Sequence, residues 1–193
     1  MISTALYMTY ADIIKPSGRI PALVYDALLI LAGSMLIALS AKVAFPLPFS
    51  PVPVTGQTFA VLLIGALYGS RRGFLTVLAY IAEGASGMPV FTGAGAGLAY
   101  LMGPTGGYLA GFAGAAGLTG FLAEKGWDRN VFYTILAMIA GNAVIYFFGV
   151  AWLSVYAGTK AVSLGLVPFI PGDILKVAAA AAILPAGWKL LKR

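Results

Sequence analysis

The chain has 193 residues, of which 61% are hydrophobic and only 9% charged, against roughly 25% charged in an ordinary soluble domain. A mean hydropathy of +0.95 excludes a soluble globule, which could not bury so much apolar surface at this size, and the absence of Cys and His excludes disulfides, thiol or Ser-His-Asp chemistry and His-based metal sites. The net charge of +6 is spread singly or in pairs at the ends of apolar runs, which suits lipid headgroups rather than nucleic acid.

Residues 1–21 mix Asp12, Lys15, Pro16 and Arg19 with short apolar stretches. They lack the compact apolar core and small-residue cleavage site of a secretory leader and are read as an interfacial lead-in. The apolar run 22–45 is long enough to cross the hydrocarbon core, which takes about 20 helical residues. Pro46-Leu-Pro-Phe-Ser-Pro-Val-Pro53 follows. Proline has no N–H to donate and restricts the residue before it, so this stretch is not helical.

Apolar runs at 58–70 and 73–87 flank Ser70-Arg71-Arg72-Gly73, read as a tight turn. Two adjacent arginines at the bilayer centre would each cost at least ~2.5–3.5 kcal/mol. Two short helices meeting at an interface are therefore predicted in place of one long span. A glycine-rich loop, 87–97, leads to a fourth span at 103–123, and a polar break from Glu124 to Arg129 leads to a fifth at 131–157. A weakly amphipathic connector reaches Pro168, and a sixth span covers 173–191. Asp173 suits a helix start, where the positive end of the helix dipole favours it. The predicted fold is all-α and integral to the membrane: one domain over 1–193, about six transmembrane helices, and an outward-facing ligand pocket capped by loops.

With the N-terminus in the cytoplasm, six crossings put Lys15, Arg19, Arg71, Arg72, Lys125, Arg129, Lys189, Lys192 and Arg193 inside and Lys42, Lys160 and Lys176 outside. The positive-inside rule favours this orientation, with both termini cytoplasmic. The irregular loops 46–58, 87–103 and 158–173 then share the external face.

Pro51-Val-Pro-Val-Thr-Gly-Gln-Thr58 joins a stiff backbone to polar Thr55, Gln57 and Thr58. Irregular backbone at membrane depth needs protein or water around it. These side chains either line a ligand site or belong to an external loop capping the next helix. Asp173 and Lys176 lie three apart, on one helix face, and intramembrane ionisable residues mark function by default. A mutual ion pair with Lys176 snorkelling to water is the plainer alternative. Glu83 is open to three roles: binding a ligand polar group, pairing with Arg72 or Lys176, or carrying a proton. Asn142 either bonds a ligand or joins two helices. Gly93-Ala-Gly-Ala-Gly97 reads better as a mobile lid than as a phosphate cradle, with Met88, Val90 and Phe91 for apolar contacts. Tyr108 either stacks on a ligand or anchors at the interface. Ser34, Ala38 and Ala41 form a small-residue face for close helix approach, toward a neighbour in the bundle or a partner protein.

Pro51-Val-Pro-Val-Thr-Gly-Gln-Thr58, Gly87-Met-Pro-Val-Phe91, Gly103-Pro-Thr-Gly-Gly-Tyr108 and Pro168-Phe-Ile-Pro-Gly-Asp-Ile-Leu-Lys176 together resemble the BioY family. Its members are biotin-binding S components of energy-coupling factor (ECF) transporters. The resemblance runs from about Ala22 to Leu191. It implies a prokaryotic cell-membrane protein that captures biotin with high affinity, and a transmembrane T component and two ABC-type ATPases as partners. The chain has no Walker A motif, so ATP would be used by those ATPases; no cofactor of its own and no enzymatic activity are expected. By analogy, Ser34, Ala38 and Ala41 would face the T component. The expected ligand contacts are Thr55, Gln57, Tyr80, Glu83, Phe91, Tyr108, Asn142, Asp173 and Lys176. Asp173 would accept a ureido N–H, and Lys176 would donate to the carbonyl or the tail carboxylate. Charged hydrogen bonds of this kind contribute roughly 1.5–3 kcal/mol each. A different small vitamin is the alternative substrate, and monomer or homodimer is left open.

Overall fold

The computed structural model describes residues 8–191. The elements in order are α1 (Tyr10–Ile13), α2 (Arg19–Ser40), β1 (Ala44–Phe45), β2 (Val54–Thr55), α3 (Gln57–Tyr68), α4 (Ser70–Ala85), α5 (Gly97–Leu101), α6 (Gly106–Glu124), α7 (Val131–Ala157), α8 (Ala161–Gly165) and α9 (Ile170–Leu191). Short 3-10 turns at Thr92–Ala94, Trp127–Arg129, Gly158–Lys160 and Val167–Phe169 join them. The fold is an all-α membrane bundle. By length and composition, three segments can cross a bilayer: Arg19–Ser40, Gly106–Glu124 and Val131–Leu191, the last containing both α7 and α9. Large apolar side chains such as Met35, Phe147 and Leu175 lie on the outside, where hydrocarbon is the matching solvent.

Several boundaries differ from the sequence expectation for physical reasons. The first span starts at Arg19, inside the stretch read as lead-in, and ends at Ser40 rather than near residue 45. Beyond it, Ala44 and Phe45 pair antiparallel with Thr55 and Val54, so the proline-rich stretch is a loop closed at its base by a two-residue ribbon. The expected turn at Ser70–Gly73 is in fact the first turn of α4, and the break shrinks to Gly69 (φ 88°, ψ 173°). Glu124 makes this possible. Its Oε1 accepts from the Ser70 backbone N–H at 2.7 Å and from Ser70 Oγ at 2.8 Å, placing negative charge at the start of α4 where the helix dipole favours it. The last helix starts at Ile170, so Asp173 lies within its first turn. At 12 residues, α3 is only about 18 Å long, well short of a full crossing.

The centre of the bundle is α6, which packs against α3, α4 and α7. A Cβ on Gly65 would stand 2.5 Å from the Ala116 carbonyl, and one on Gly120 would stand 2.4 Å from the Gly69 backbone. These glycines let the α3–α4 break press against α6, the close approach by which membrane helices gain packing.

The end of the bundle that carries the termini is polar. Arg72 donates to Asp12 and to Asp26, each at 2.7 Å, and Lys15 donates to the second oxygen of Asp26 at 2.9 Å. Burial opposes charge on Asp12, but the Thr9 N–H and the Arg72 guanidinium hold its carboxyl below the usual range. Tyr10 packs against Trp188 with ring centroids 4.4 Å apart and planes tilted by 42°, and donates to the Leu184 carbonyl. Trp188 donates in turn to Asp128 at 2.5 Å, beneath the Arg129 guanidinium, which lies 4.2 Å from the indole centroid. Burial pushes the Asp128 carboxyl up to about 6, against the opposing pull of the Trp188 bond and Arg129. The described part of the lead-in is thus pinned beneath the bundle; residues 1–7 lie outside the described residues.

Candidate functional site

At the end remote from the termini, the three irregular loops meet over a small cavity of about 40 Å³. The proline-rich loop and start of α3 bring Val52, Thr55, Gln57 and Thr58 to it; α4 brings Tyr80. The glycine-rich stretch and α5 supply Phe91, Thr92 and Tyr100, and α6 supplies Tyr108 and Phe112. Ile145 and Tyr146 come from α7, Phe169 precedes α9, and Lys176 comes from α9 itself.

One polar cluster is built around Gln57, which is buried. Its Nε2 donates to Tyr80 Oη at 2.7 Å, and its Oε1 accepts from Thr92 Oγ1 at 3.1 Å and Thr55 Oγ1 at 3.4 Å. The Tyr80 hydroxyl donates in turn to the Val90 carbonyl at 3.2 Å. A single chain of hydrogen bonds therefore ties α3 and α4 to the glycine-rich wall. The second cluster is ionic. Lys176 Nζ donates to Thr58 Oγ1 at 2.7 Å and to Asp173 Oδ1 at 3.1 Å, while Tyr146 donates to Asp173 Oδ2. Both partners of the Asp173 carboxylate face the cavity, while the carboxylate itself lines the groove between α7 and α9, and each of its oxygens has a second lone pair.

Aromatic rings form the walls between the two clusters. Phe91, fully buried, meets Tyr80 edge-on at 5.4 Å and stacks on Tyr100 at 4.8 Å. Tyr108 is held by a 2.7 Å bond to the Gly165 carbonyl. The result is a mostly apolar box with a few convergent polar groups, the usual form of a small-molecule site.

Of the residues expected here from sequence, Thr55, Gln57, Tyr80, Phe91, Tyr108 and Lys176 line the cavity; Asp173 lines the neighbouring groove between α7 and α9 and reaches the cavity only through its bonds from Tyr146 and Lys176. Two are placed elsewhere. Glu83 faces α2 and accepts a 2.8 Å bond from Ser34 Oγ, so it pairs with neither Arg72 nor Lys176. Asn142 lies in the apolar groove between α7 and α9, on the other side of Tyr146. Of the small-residue stripe, Ser34 and Ala41 are buried and Ala38 is half-buried. Ser34 meets α4, with Glu83 as its polar partner.

Tyr146, Tyr100, Thr92, Phe112 and Phe169 were missed from sequence. Tyr146 carried a signal, since it lies one helical turn from Asn142 and so shares its face. A tyrosine within an apolar run otherwise reads as an interfacial anchor.

The model of the BioY family matches residues 11–193. Among curated relatives, the biotin transporter BioY of Rhizobium etli is 37% identical over 163 residues, covering 79% of this chain and 87% of that one. The BioY of Thermotoga maritima is 41% identical over 159 residues, covering 80% and 92%. Among solved structures, the S-component for biotin from an ECF-type ABC transporter superposes with a TM-score of 0.78 at 27% identity, covering 92% of this chain and 96% of that chain. The chain belongs to the BioY family.

Proposed function

We propose that this protein is the biotin-capturing S component of an ECF-type vitamin uptake transporter. The observation that carries the reading is the pairing of two polar clusters, Gln57–Tyr80–Thr92 and Asp173–Lys176–Tyr146, across one aromatic box. Biotin has matching chemistry: a ureido ring with two N–H donors and one carbonyl, a flat apolar bicycle, and an alkyl tail ending in a carboxylate. The second lone pairs of Asp173 suit the N–H groups, Lys176 suits an acceptor oxygen, and the rings of Phe91, Tyr100 and Tyr108 suit the bicycle. The names of the relatives support the same substrate.

A cavity of about 40 Å³ is far below the ~300 Å³ of a typical small-ligand pocket. Admission of biotin therefore requires one wall to withdraw. The stretch carrying Phe91 and Thr92 is the wall that can, because Gly87 (φ 101°) and Gly97 (φ 81°) bracket it in left-handed backbone open to glycine.

The charge count supports termini on the cytoplasmic side and the cavity facing outward. The relatives' transporter type supports a T component and ATPases as partners, with ATP hydrolysed outside this chain. The reading is tested by equilibrium binding of tritiated biotin to the purified chain in nanodiscs, with thiamine and riboflavin as competitors. Saturable binding displaced only by biotin is expected. Displacement by another vitamin, or no binding, overturns it.

A further inference from the structure

We infer that the open recess beside the cavity is a docking vestibule for the carboxylate of the incoming vitamin, with Lys42 as both its anchoring cation and the latch of the glycine-rich wall. This rests on the biotin reading above. The recess measures about 850 Å³ and lies between residues 41–53 and residues 92–105. It adjoins the cavity across Pro53, Thr92, Tyr100 and Thr105, which face both.

Lys42 is the one charged side chain that lines the recess among the described residues. It is exposed and has no acidic partner within ion-pair distance there; its Nζ donates instead to the Pro89 carbonyl at 2.8 Å. The charges at the cavity, Asp173 and Lys176, already satisfy each other at 3.1 Å. Lys160 follows α7 in a 3-10 turn and lines neither space. Lys42 is thus the cation that a carboxylate arriving at the mouth meets.

Pro89 belongs to the stretch that carries Val90, Phe91 and Thr92 into the cavity wall. An ammonium group bonds a carboxylate more strongly than it bonds a neutral carbonyl. A carboxylate in the recess therefore draws Lys42 away from Pro89 and removes one of the bonds that hold the wall, beside those that Gln57 and Tyr80 make to it. Gly87 and Gly97 have open space around them, so the loosened stretch can swing.

The test is the association rate of biotin and of its uncharged amide, read by stopped-flow tryptophan fluorescence on the full chain in nanodiscs, for unaltered protein, Lys42→Gln and Lys42→Arg. Lys42→Gln should slow biotin association by about tenfold, with a smaller effect on dissociation, and the gap should close at high salt. Lys42→Arg should restore the rate. Biotinamide, which cannot draw Lys42 from Pro89, should associate no more slowly with Lys42→Gln than with unaltered protein. Equal biotin rates for Lys42→Gln and unaltered protein, or an equal slowing of biotinamide, overturn the vestibule while leaving the biotin reading standing. No biotin binding by unaltered protein overturns both.

Discussion

Gly84 lies against the ring of Phe91: a Cβ on Gly84 would stand 2.0 Å from Phe91 Cζ and 2.4 Å from two further ring atoms. The contact seats the glycine-rich wall on α4. Gly84→Ala should unseat Phe91 at a cost typical of overpacking, about 1–3 kcal/mol, and raise the biotin Kd by roughly tenfold or more. Adding Phe91→Leu should recover part of the loss. Calorimetric titration of the single and double variants measures both, and unchanged affinity in Gly84→Ala would show that the wall does not need this seat.

Tyr146 orients the Asp173 carboxylate from the side opposite Lys176. Tyr146→Phe removes that donor and leaves a buried carboxylate oxygen short of a partner, which costs about 1–3 kcal/mol. If the effect on biotin runs through Asp173, the losses in Tyr146→Phe and Asp173→Asn will not add in a double-mutant cycle. Full additivity of the two Kd changes would separate the residues.

Glu83 bonds Ser34 away from the cavity. Glu83→Gln keeps an acceptor for the Ser34 hydroxyl and should leave the biotin Kd within about twofold, the range of a peripheral change. Ser34→Leu should instead lower the melting temperature by forcing α2 from α4. A large loss of biotin affinity in Glu83→Gln would return this carboxylate to the binding site.

Asp128 gives the polar end of the bundle a pH dependence. Burial raises its carboxyl to about 6, above the usual carboxylate range, so the folded state holds its proton more tightly than the unfolded chain does. The resulting stabilisation is complete below the unfolded value and is lost as pH rises through about 6. The stabilisation lost over that range is on the order of 3 kcal/mol. Melting curves at pH 4 to 8 should therefore show a decline that is absent in Asp128→Asn, which keeps an acceptor for Trp188. Parallel curves for the two proteins would remove Asp128 as the source.

The membrane class, the short paired helices and the gathering of three irregular loops at one end were legible in the sequence, because apolar run length, prolines and arginine cost each act locally. The fine placement was not. Arg71 and Arg72 predicted a turn, yet Glu124, more than fifty residues away in the chain, caps α4 and lets the helix begin at Ser70. Ser34 read as a possible outer face because spacing alone cannot say which neighbour a helix face meets. Gln57 and Lys176 were found as polar residues in apolar surroundings. Tyr100 and Phe169 carried no such contrast, and only the folded chain brings them to the cavity wall.

Twelve residues of α3 rise from Gly69, at the end of the bundle that carries the termini, to Gln57 at the cavity. That is about 18 Å of climb in a hydrocarbon layer of about 30 Å. Whatever rests beside Gln57 is thus separated from the opposite end of the bundle by the length of one short helix.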